Sequence, residues 1–259
     1  MKQLSWGIAA LLLAQFLLSA CTSQPTATPT PVITGPKIRV GVDASLPPFE
    51  FEGSAPDEVV GFDVDLIKEI AARAGLQIEL VKVGYNTLMP FVVRCDLDAG
   101  ISAIPAADWA GQPVDFSDPY YSTGLVVLVK QGNITITGRD ALTGMTVGTQ
   151  AGSLGQTILT QDRSIQSISY DNFFLTVQQL AGGHIDAVLA DRPRAQSFVD
   201  IKRNDLKIVG DDFGQVDYAI ATCRQKPELK TKINTGLAQV KEDGTLEKLA
   251  RQWKVILKP

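Results

Sequence analysis

The sequence predicts an α/β fold in which two mostly parallel sheets, each flanked by helices, form two lobes around a cleft. Two observations predict it. Short apolar runs that read as buried strands alternate with amphipathic segments of helical period, first over residues 37–104 and again over 145–191. Polar residues directly follow the strands of both blocks, and ligands of open α/β sheets bind beyond the carboxyl ends of the strands.

The first block contains three strands and two helices. Its predicted strands are three apolar-rich runs bounded by Pro, Gly and polar residues: 37–42, 77–83 and 98–104. The first helix has Asp63 as its predicted N-cap and ends before Gly75, with apolar residues recurring at helical spacing. The second helix spans 86–94 and carries Pro90 in its first turn.

The second block repeats this alternation and is followed by a closing segment. An apolar run at 125–129 is the predicted crossover between the blocks. The predicted strands of the second block and the closing segment are 145–149, 165–170, 187–190 and 218–222. The predicted helices begin near Leu154 and span 172–181, 227–241 and 245–253.

The composition is typical of a globular chain with room for one large domain or two lobes. Of the 259 residues, 45% are hydrophobic and 20% are charged, and the formal net charge is −4. No basic block is present, which argues against nucleic-acid binding. One His and three Cys are too few for a His-based metal cluster or a four-Cys zinc site. We therefore expect no metal and no cofactor.

The first 20 residues have the pattern of a lipoprotein signal peptide. Lys2 precedes an apolar run at 4–18 that is short for a transmembrane helix and suits a signal sequence. The run ends in LSAC, which looks like a bacterial lipobox with Cys21 as the lipidated residue; an ordinary signal peptide is the alternative. Residues 21–36 are rich in Pro and Thr and form a predicted tether. We expect an extracytoplasmic chain that its lipid anchors to the cell membrane.

Six strings, in the same order along the chain, match one family. They are VGVDASLPPFEF (40–51), VGFDVDLIKEIA (60–71), DFSDPYYSTGLVVLV (115–129), VGTQAGSLG (147–155), GGHIDAVLAD (182–191) and GLAQVKEDGTLEKLARQW (236–253). Together they resemble the extracytoplasmic solute-binding proteins of polar amino-acid ABC importers, solute-binding protein family 3. The resemblance covers about residues 37–254.

The resemblance implies a type II periplasmic-binding-protein fold with two lobes. Lobe 1 is expected at 37–123 plus 220–259, and lobe 2 at 127–216. Two crossovers, near 125–129 and 215–218, would serve as the hinge. The lobes of such proteins close on a small ligand and present it to ABC permease subunits, so we expect a monomer with these partners.

The resemblance also implies ligand-binding residues in both lobes. Asp43 would contact the ligand's side chain or amine, and Asp191 would bind its α-ammonium group. Aromatic and apolar walls are expected at Leu46 and Tyr85. The turn at 150–154 would bind a carboxylate at a helix N-terminus. The expected set is Asp43, Leu46, Tyr85, Ser102, Ala103, Pro105, Trp109, Gln150, Gly152, Ser153, Leu154 and Asp191.

Each of these roles has a structural alternative. Asp43, Ser153 and Asp191 are also suited to capping turns or helices, and the apolar walls to ordinary packing. No catalytic residue is expected, since the chain has no Ser/His/Asp arrangement and no acid set opposite a base. We expect Glu50 and Glu52 to be solvated.

Two cysteines remain once Cys21 is lipidated. In the topology that the resemblance implies, the strand at 98–104 lies antiparallel to the strand at 218–222. Cys95 would then lie near Cys223, and we predict a disulfide between them, consistent with an oxidising compartment.

The loop before DFSDPYY lacks a residue that the family usually carries. Members usually place an Arg five residues before the first Asp of this string, where it forks onto the ligand's α-carboxylate. This chain has Ala110 there, and no basic residue occurs between Arg94 and Lys130. A carboxylate without a cationic partner would bind about two to three orders of magnitude more weakly.

Three explanations of the missing Arg stay open. The carboxylate is held by Arg192 or Arg194 together with the 150–154 turn. Alternatively, the ligand is an amine or modified amino acid without a free α-carboxylate, met by Asp43, Asp191, Tyr85 and Trp109. The third explanation is a degenerate site or a role outside transport.

The predicted function is that of a lipid-anchored substrate-binding subunit of an ABC importer for a polar amino acid or a related small amine. A sensor partner and a dehydratase-like enzyme on the same fold are the other classes. The single His, His184, lies in a predicted Gly-Gly-His turn, which argues against an enzyme. A fold alone does not establish function.

Overall fold

The computed structural model describes residues 35–201 and 205–257. The predicted signal peptide, the lipidated Cys21 and nearly all of the tether lie outside the described residues. None of the helices in these two ranges is long and apolar enough to cross a membrane.

Thirteen strands lie within the described ranges. They are β1 (Lys37–Val42), β2 (Ser45–Leu46), β3 (Glu50–Glu52), β4 (Val59–Val60), β5 (Gln77–Lys82), β6 (Ala99–Gly100), β7 (Val114–Phe116), β8 (Tyr121–Lys130), β9 (Thr146–Gln150), β10 (Gln166–Tyr170), β11 (Ala187–Asp191), β12 (Leu206–Tyr218) and β13 (Ala221–Cys223).

Seven α-helices and two short 3-10 helices accompany these strands in the described ranges. The α-helices are α1 (Phe62–Arg73), α2 (Tyr85–Val93), α3 (Leu154–Gln161), α4 (Phe173–Gly182), α5 (Arg192–Ile201), α6 (Pro227–Glu242) and α7 (Thr245–Trp253). The 3-10 helices are Ala106–Trp109 and Arg139–Leu142.

The strands form two five-stranded sheets and one small three-stranded sheet. The first sheet has the order β5-β1-β6-β13-β7, the second has the order β10-β9-β11-β8-β12, and the third has the order β2-β3-β4. In the first sheet only β13 runs against the other four strands, and in the second only β8 does so. The sheets therefore divide the chain as the predicted lobes do. The lobe boundaries themselves remain a proposal, which this membership supports.

Helix α1 packs on the first sheet through its apolar face. Its buried side chains include Phe62, Leu66, Ile67 and Ile70, which recur at helical spacing. The helix begins after Gly61, not at Asp63. Gly61 has φ +136°, and a Cβ there would lie 2.2 Å from the carbonyl oxygen of Phe49. Only glycine fits this approach, so the predicted N-cap is wrong and Asp63 is instead a buried residue within the first turn.

Other elements also differ from the sequence expectation. The predicted strand at 218–222 is divided between the end of β12 and β13. Strand β6 is only two residues long, although a longer apolar run surrounds it. The 125–129 run is the middle of β8, a ten-residue strand of the second sheet. Helix α5, which begins directly after Asp191, was not predicted; its Pro193 is tolerated because no intrahelical donor is lost in a first helical turn.

Cysteines 95 and 223 lie next to each other in the first lobe. Strand β13 pairs antiparallel with β6, which places the end of β13 beside the segment that follows α2. The two sulfur atoms are 1.91 Å apart, and 128 residues separate the two positions. This is the pairing that the family resemblance implies, and its oxidation in the protein remains a prediction.

We predict that this disulfide contributes about 2–5 kcal/mol to the free energy of unfolding, because it closes a long loop of the unfolded chain. Urea unfolding of the Cys95→Ser/Cys223→Ser variant, compared with the parent chain, measures the loss. Thiol titration of the denatured, unreduced Cys21→Ser chain should find no reactive thiol. Two reactive thiols there would contradict the pairing.

Candidate functional site

In the first lobe, the ends of β1 and β6 position polar groups side by side. The two strands are parallel neighbours, so their carboxyl ends lie at the same edge of the sheet. The backbone N–H of Asp43 donates to Ser102 Oγ at 2.8 Å. The Ser45 hydroxyl donates to the Asp43 carboxylate. This edge therefore presents a carboxylate whose position is set by neighbouring hydroxyl groups.

In the second lobe, the turn between β9 and α3 forms a matching polar edge. Thr149 Oγ1 donates to the carbonyl of Leu189 at 3.0 Å and lies 3.1 Å from Ser153 Oγ. Ser153 is the N-cap of α3, and its Oγ accepts the N–H of Gln156 at 3.2 Å. Capping of α3 by Ser153, the structural alternative for this residue, is thus present.

Asp108 reaches from the first lobe to the N-terminus of α3. It lies in the 3-10 helix Ala106–Trp109, two residues before Ala110, and its Oδ1 accepts the N–H of Leu154 at 2.8 Å. A negative charge is favourable there, because the helix dipole and the first N–H groups point toward it. Burial raises the pKa of Asp108 to about 6, against the opposing effect of Arg194 and of this hydrogen bond.

Arg194, in the first turn of α5, supplies a cation to the cleft. Its guanidinium lies 4.6 Å from the centre of the Tyr85 ring and donates to Tyr85 Oη at 2.6 Å. It also donates to Ala103 O at 3.3 Å and to Gln150 Oε1 at 3.2 Å. Its Nε lies 3.4 Å from Asp191 Oδ2. Because Tyr85 and Ala103 are in the first lobe and Gln150 and Asp191 in the second, this one side chain connects the two.

Little space remains around Asp191 and the α3 N-terminus. The cavity bordered by Asp108, Ser153, Leu154, Asp191 and Arg194 has a volume of about 20 Å³. This is room for about one water molecule and not for an amino acid.

A second cavity of about 520 Å³ opens beside it, in the size range of ligand sites. Both lobes contribute to its wall. The lining residues are Asp43, Ser45, Leu46, Glu50, Gly84, Tyr85, Asn86, Thr87, Ser102, Gln150, Asn172, Phe173, Phe174, Arg194, Ser197, Phe198 and Ile201. Among them, Phe174 and Ile201 are 60% and 69% exposed, which gives this cavity an apolar rim.

A buried pair of carboxyl groups lies in the first-lobe wall of the larger cavity. Glu50 is 1% exposed and Asp63 is fully buried, so the expectation that Glu50 is solvated is wrong. Asp63 Oδ2 accepts the N–H of Ala103 and the hydroxyl of Tyr120, both at 2.8 Å. Glu50 Oε2 and Asp63 Oδ1 are buried without a hydrogen-bond partner among the described residues, so two ionised carboxylates side by side are unfavourable here.

Burial and the neighbouring charge set the titration of this pair. Burial, followed by the charge of Asp63, raises the pKa of Glu50 well above its usual range. Burial raises the pKa of Asp63 to about 6, and the hydrogen bonds from Ala103 and Tyr120 limit that rise. The pair therefore keeps a proton at pH values at which free carboxyl groups are ionised.

The structure brings most of the residues predicted from the sequence to these two cavities. Asp43, Leu46, Tyr85, Ser102 and Gln150 line the larger one; Pro105, Gln150, Ser153, Leu154 and Asp191 line the smaller one. Ala103 reaches the site through its carbonyl oxygen. Trp109 and Gly152 line neither cavity: Trp109 packs against an apolar cluster around α2, and the N–H of Gly152 donates to Gln156 Oε1 at 2.7 Å. Ligand contact by the predicted residues remains a proposal.

Three functional candidates come mainly from the structure. Arg194 appeared in the sequence only as one option beside Arg192, whose guanidinium instead pairs with Asp212. Asp108 was not among the residues expected from the sequence. The burial of Glu50 could not be predicted from the sequence, since an acidic residue in a short segment with a second acidic residue, Glu52, is normally exposed.

Within the described ranges, no group of three or more His, Cys, Asp or Glu side chains is arranged to hold a metal ion. The cleft itself presents carboxylates, a guanidinium, hydroxyl groups and aromatic faces. Such groups bind charged and apolar parts of a small molecule.

We predict that Glu50→Gln stabilises the protein increasingly as the pH rises from about 4.5 to 7. In the wild type, the unfolded chain releases the Glu50 proton above about pH 4.3 while the folded chain keeps it, so the free energy of unfolding falls with pH. Glutamine has nearly the same shape as glutamate and has no proton to lose. Urea unfolding at several pH values measures the difference, with the exposed Glu242→Gln as control. Parallel curves for Glu50→Gln and wild type would contradict the buried pair.

The sequence matches one known family over almost all of the described residues. The sequence model of the bacterial extracellular solute-binding proteins, family 3, matches residues 38–255. The L-cystine-binding protein TcyJ of Escherichia coli K12 is 29% identical over 218 residues, which cover 83% of this chain and 82% of the relative. The ABC transporter arginine-binding protein 1 of the same strain is 30% identical over 253 residues, covering 95% and 97%.

Solved structures show the same two-lobed architecture. The arginine-, lysine-, histidine-binding protein ArtJ from Geobacillus stearothermophilus has a TM-score of 0.72 and 30% identity to this chain, covering 86% of this chain and 96% of its own. This likeness confirms the predicted fold class. The relatives are substrate-binding proteins and not enzymes. The chain belongs to the bacterial extracellular solute-binding proteins, family 3.

Proposed function

We propose that this chain is the substrate-binding subunit of an ABC importer for a polar amino acid or a related small amine. The observation that carries the proposal is the 520 Å³ cavity, which is lined by strand ends of both sheets and contains Asp43, Tyr85, Gln150 and Arg194. A cavity that spans two lobes can bind a ligand by closure, because the ligand gains its second set of contacts only when the lobes meet.

The connection between the sheets suits such a movement. The chain crosses from the first sheet to the second before β8 and returns after β12, and these two strands pair with each other up to Tyr121 and Tyr218. Phe49 packs edge-on against both tyrosine rings at 5.0 and 5.7 Å. We propose these paired crossovers as the hinge, with the aromatic cluster keeping them in register while the lobes move.

The names of the relatives support the ligand class. The relatives are described as cystine-, arginine- and histidine-binding proteins. Amino acids of this kind carry an ammonium and a carboxylate, and the cleft offers carboxylates and one guanidinium. A permease of the ABC type is the corresponding partner, to which a monomeric binding protein would deliver its ligand.

We further propose that a lipid on Cys21 holds the mature chain at the outer face of the cytoplasmic membrane, with residues 21–36 as its tether. The lipobox-like LSAC string supports this proposal. A single lipid group of two or more acyl chains is sufficient for stable anchoring.

The binding function predicts that at least one small polar solute stabilises the protein strongly. A thermal-shift panel of the standard L-amino acids, polyamines and other small amines tests it. A ligand at 100 times its Kd adds about 2.7 kcal/mol to the free energy of unfolding.

The Asp43→Asn variant should bind that solute at least about tenfold more weakly in Kd, since the substitution removes a charged hydrogen-bonding partner. The exposed Asp140→Asn is the matched control. A panel without any stabilising solute, or an unchanged response in Asp43→Asn, would contradict the proposed site.

The lipid anchor predicts that cells fed radioactive palmitate label the wild-type chain and not Cys21→Ala. The variant should also leave the membrane fraction when the cells are broken. Equal labelling of both chains would show that the lipid is not on Cys21.

A further inference from the structure

We propose that the cleft takes an organic cation with an apolar body and no free α-carboxylate, because the chain's own Asp108 and Arg194 fill the two charged positions of an α-amino-acid site. The inference rests on the proposed function and names the class of solute for that same site. It selects the second of the three explanations for the missing Arg at position 110.

The first position is filled by Arg194, which occupies the place next to Asp191 where a ligand ammonium would lie. A guanidinium has five N–H groups in a planar fork. In this chain the fork faces the Asp191 carboxylate, Gln150 Oε1, the Tyr85 hydroxyl and the Ala103 carbonyl. Because three of its N–H groups donate to acceptors of the chain and its Nε–H faces Asp191, Arg194 does not offer a free bidentate edge to a ligand carboxylate. Asp191 is likewise neutralised from within.

The second position is filled by Asp108, whose carboxylate occupies the N-terminus of α3. Its oxygen takes the N–H of Leu154 at 2.8 Å, the kind of donor that would otherwise serve a ligand carboxylate. A second carboxylate at this place would meet a like charge. The remaining space of about 20 Å³ leaves room for about one water molecule. An α-amino acid could enter only after both Asp108 and Arg194 had moved out.

The open cavity beside these two positions favours a cation. The acidic and basic residues that line it are Asp43, Glu50 and Arg194. Arg194 is matched by Asp191, whereas Asp43 forms no salt bridge within residues 35–201 and 205–257. Glu50 adds its carboxyl pair with Asp63 to the same wall. The uncompensated charge of the cavity is therefore negative, and it attracts a positively charged group.

The rest of the wall favours an apolar body on that cation. Three phenylalanines of the second lobe line the cavity: Phe173, Phe174 and Phe198. Leu46 and Tyr85 line it from the first lobe. Phe174 and Ile201 are exposed at the rim although they are large and apolar. A bound apolar group would remove these surfaces from water, and aromatic faces also attract ammonium groups.

Matched pairs of ligands that differ only in the α-carboxylate test this inference. Isothermal titration calorimetry on the full-length protein compares phenethylamine with L-phenylalanine, tryptamine with L-tryptophan and agmatine with L-arginine. We expect each aryl amine to bind at least ten times more tightly than its amino acid, and also more tightly than agmatine. An amino acid that binds as tightly as its amine would overturn the inference.

Two variants test the residues behind it. Phe174→Ala should weaken binding of phenethylamine about tenfold, while Ile134→Ala, at an exposed apolar residue outside the cavity, should leave it unchanged. Asp108→Ala removes the charge at the α3 N-terminus, so the affinity for L-phenylalanine should rise at least tenfold relative to that for phenethylamine. Asp140→Ala, an exposed acid elsewhere, is the control. No gain for L-phenylalanine in Asp108→Ala would show that Asp108 does not exclude the carboxylate.

The failure of this inference differs from the failure of the proposed function. If amino acids bind and amines do not, the chain is still a solute-binding subunit and only the ligand class proposed here is wrong. If neither class of probe binds at millimolar concentration, both the inference and the proposed function are contradicted.

Discussion

The structure of the cleft depends on one side chain, Arg194. Its guanidinium is almost completely buried and contacts groups of both lobes, with the Tyr85 ring below it and the Asp191 carboxylate beside it. A buried charge is tolerated only when partners surround it. These partners come from four separate elements, α2, β9, β11 and the segment after β6, so the position of Arg194 ties the ends of both sheets together.

This arrangement changes what the family resemblance implies for the chain. The usual cation is absent at Ala110, yet the cleft does contain a cation, contributed from the opposite lobe. This cation, Arg194, is paired with Asp191, and Asp108 lies at the α3 N-terminus. The groups that would bind the ammonium and the carboxylate of an amino acid are therefore already paired within the protein. What remains open is a cavity lined by Asp43, which forms no salt bridge within the described residues, by the buried Glu50 carboxyl group and by aromatic side chains.

Much of the fold could be predicted from the sequence, because its signals are local. Strands such as β1 and β11 are short apolar-rich runs between breakers, and α6 and α7 show helical spacing with glycine between them. Helix α5 was missed because its first turn, Arg192-Pro193-Arg194, has the composition of a loop.

The site was less predictable because its charges act across the fold. The strand ends, with Asp43, Ser102 and Asp191, follow from topology, and a missing Arg can be read directly at position 110. The sequence does not show which cation replaces the missing Arg. Arg192 and Arg194 both follow Asp191 closely, and only the direction in which α5 orients each side chain distinguishes them. Glu50 is similar: its burial depends on Asp63 and Tyr120, which are distant in sequence.

The central claim is that Arg194 is held inside the cleft before any ligand arrives. NMR of ligand-free protein labelled with ¹⁵N-arginine tests it directly, with the Nε–H signal of Arg194 assigned by its loss in Arg194→Lys. The account predicts a separate Nε–H signal that exchanges slowly with water and shifts when Tyr85 is replaced by Phe. A signal that exchanges as rapidly as those of the exposed arginines would show that Arg194 lies in solvent, and would contradict the account.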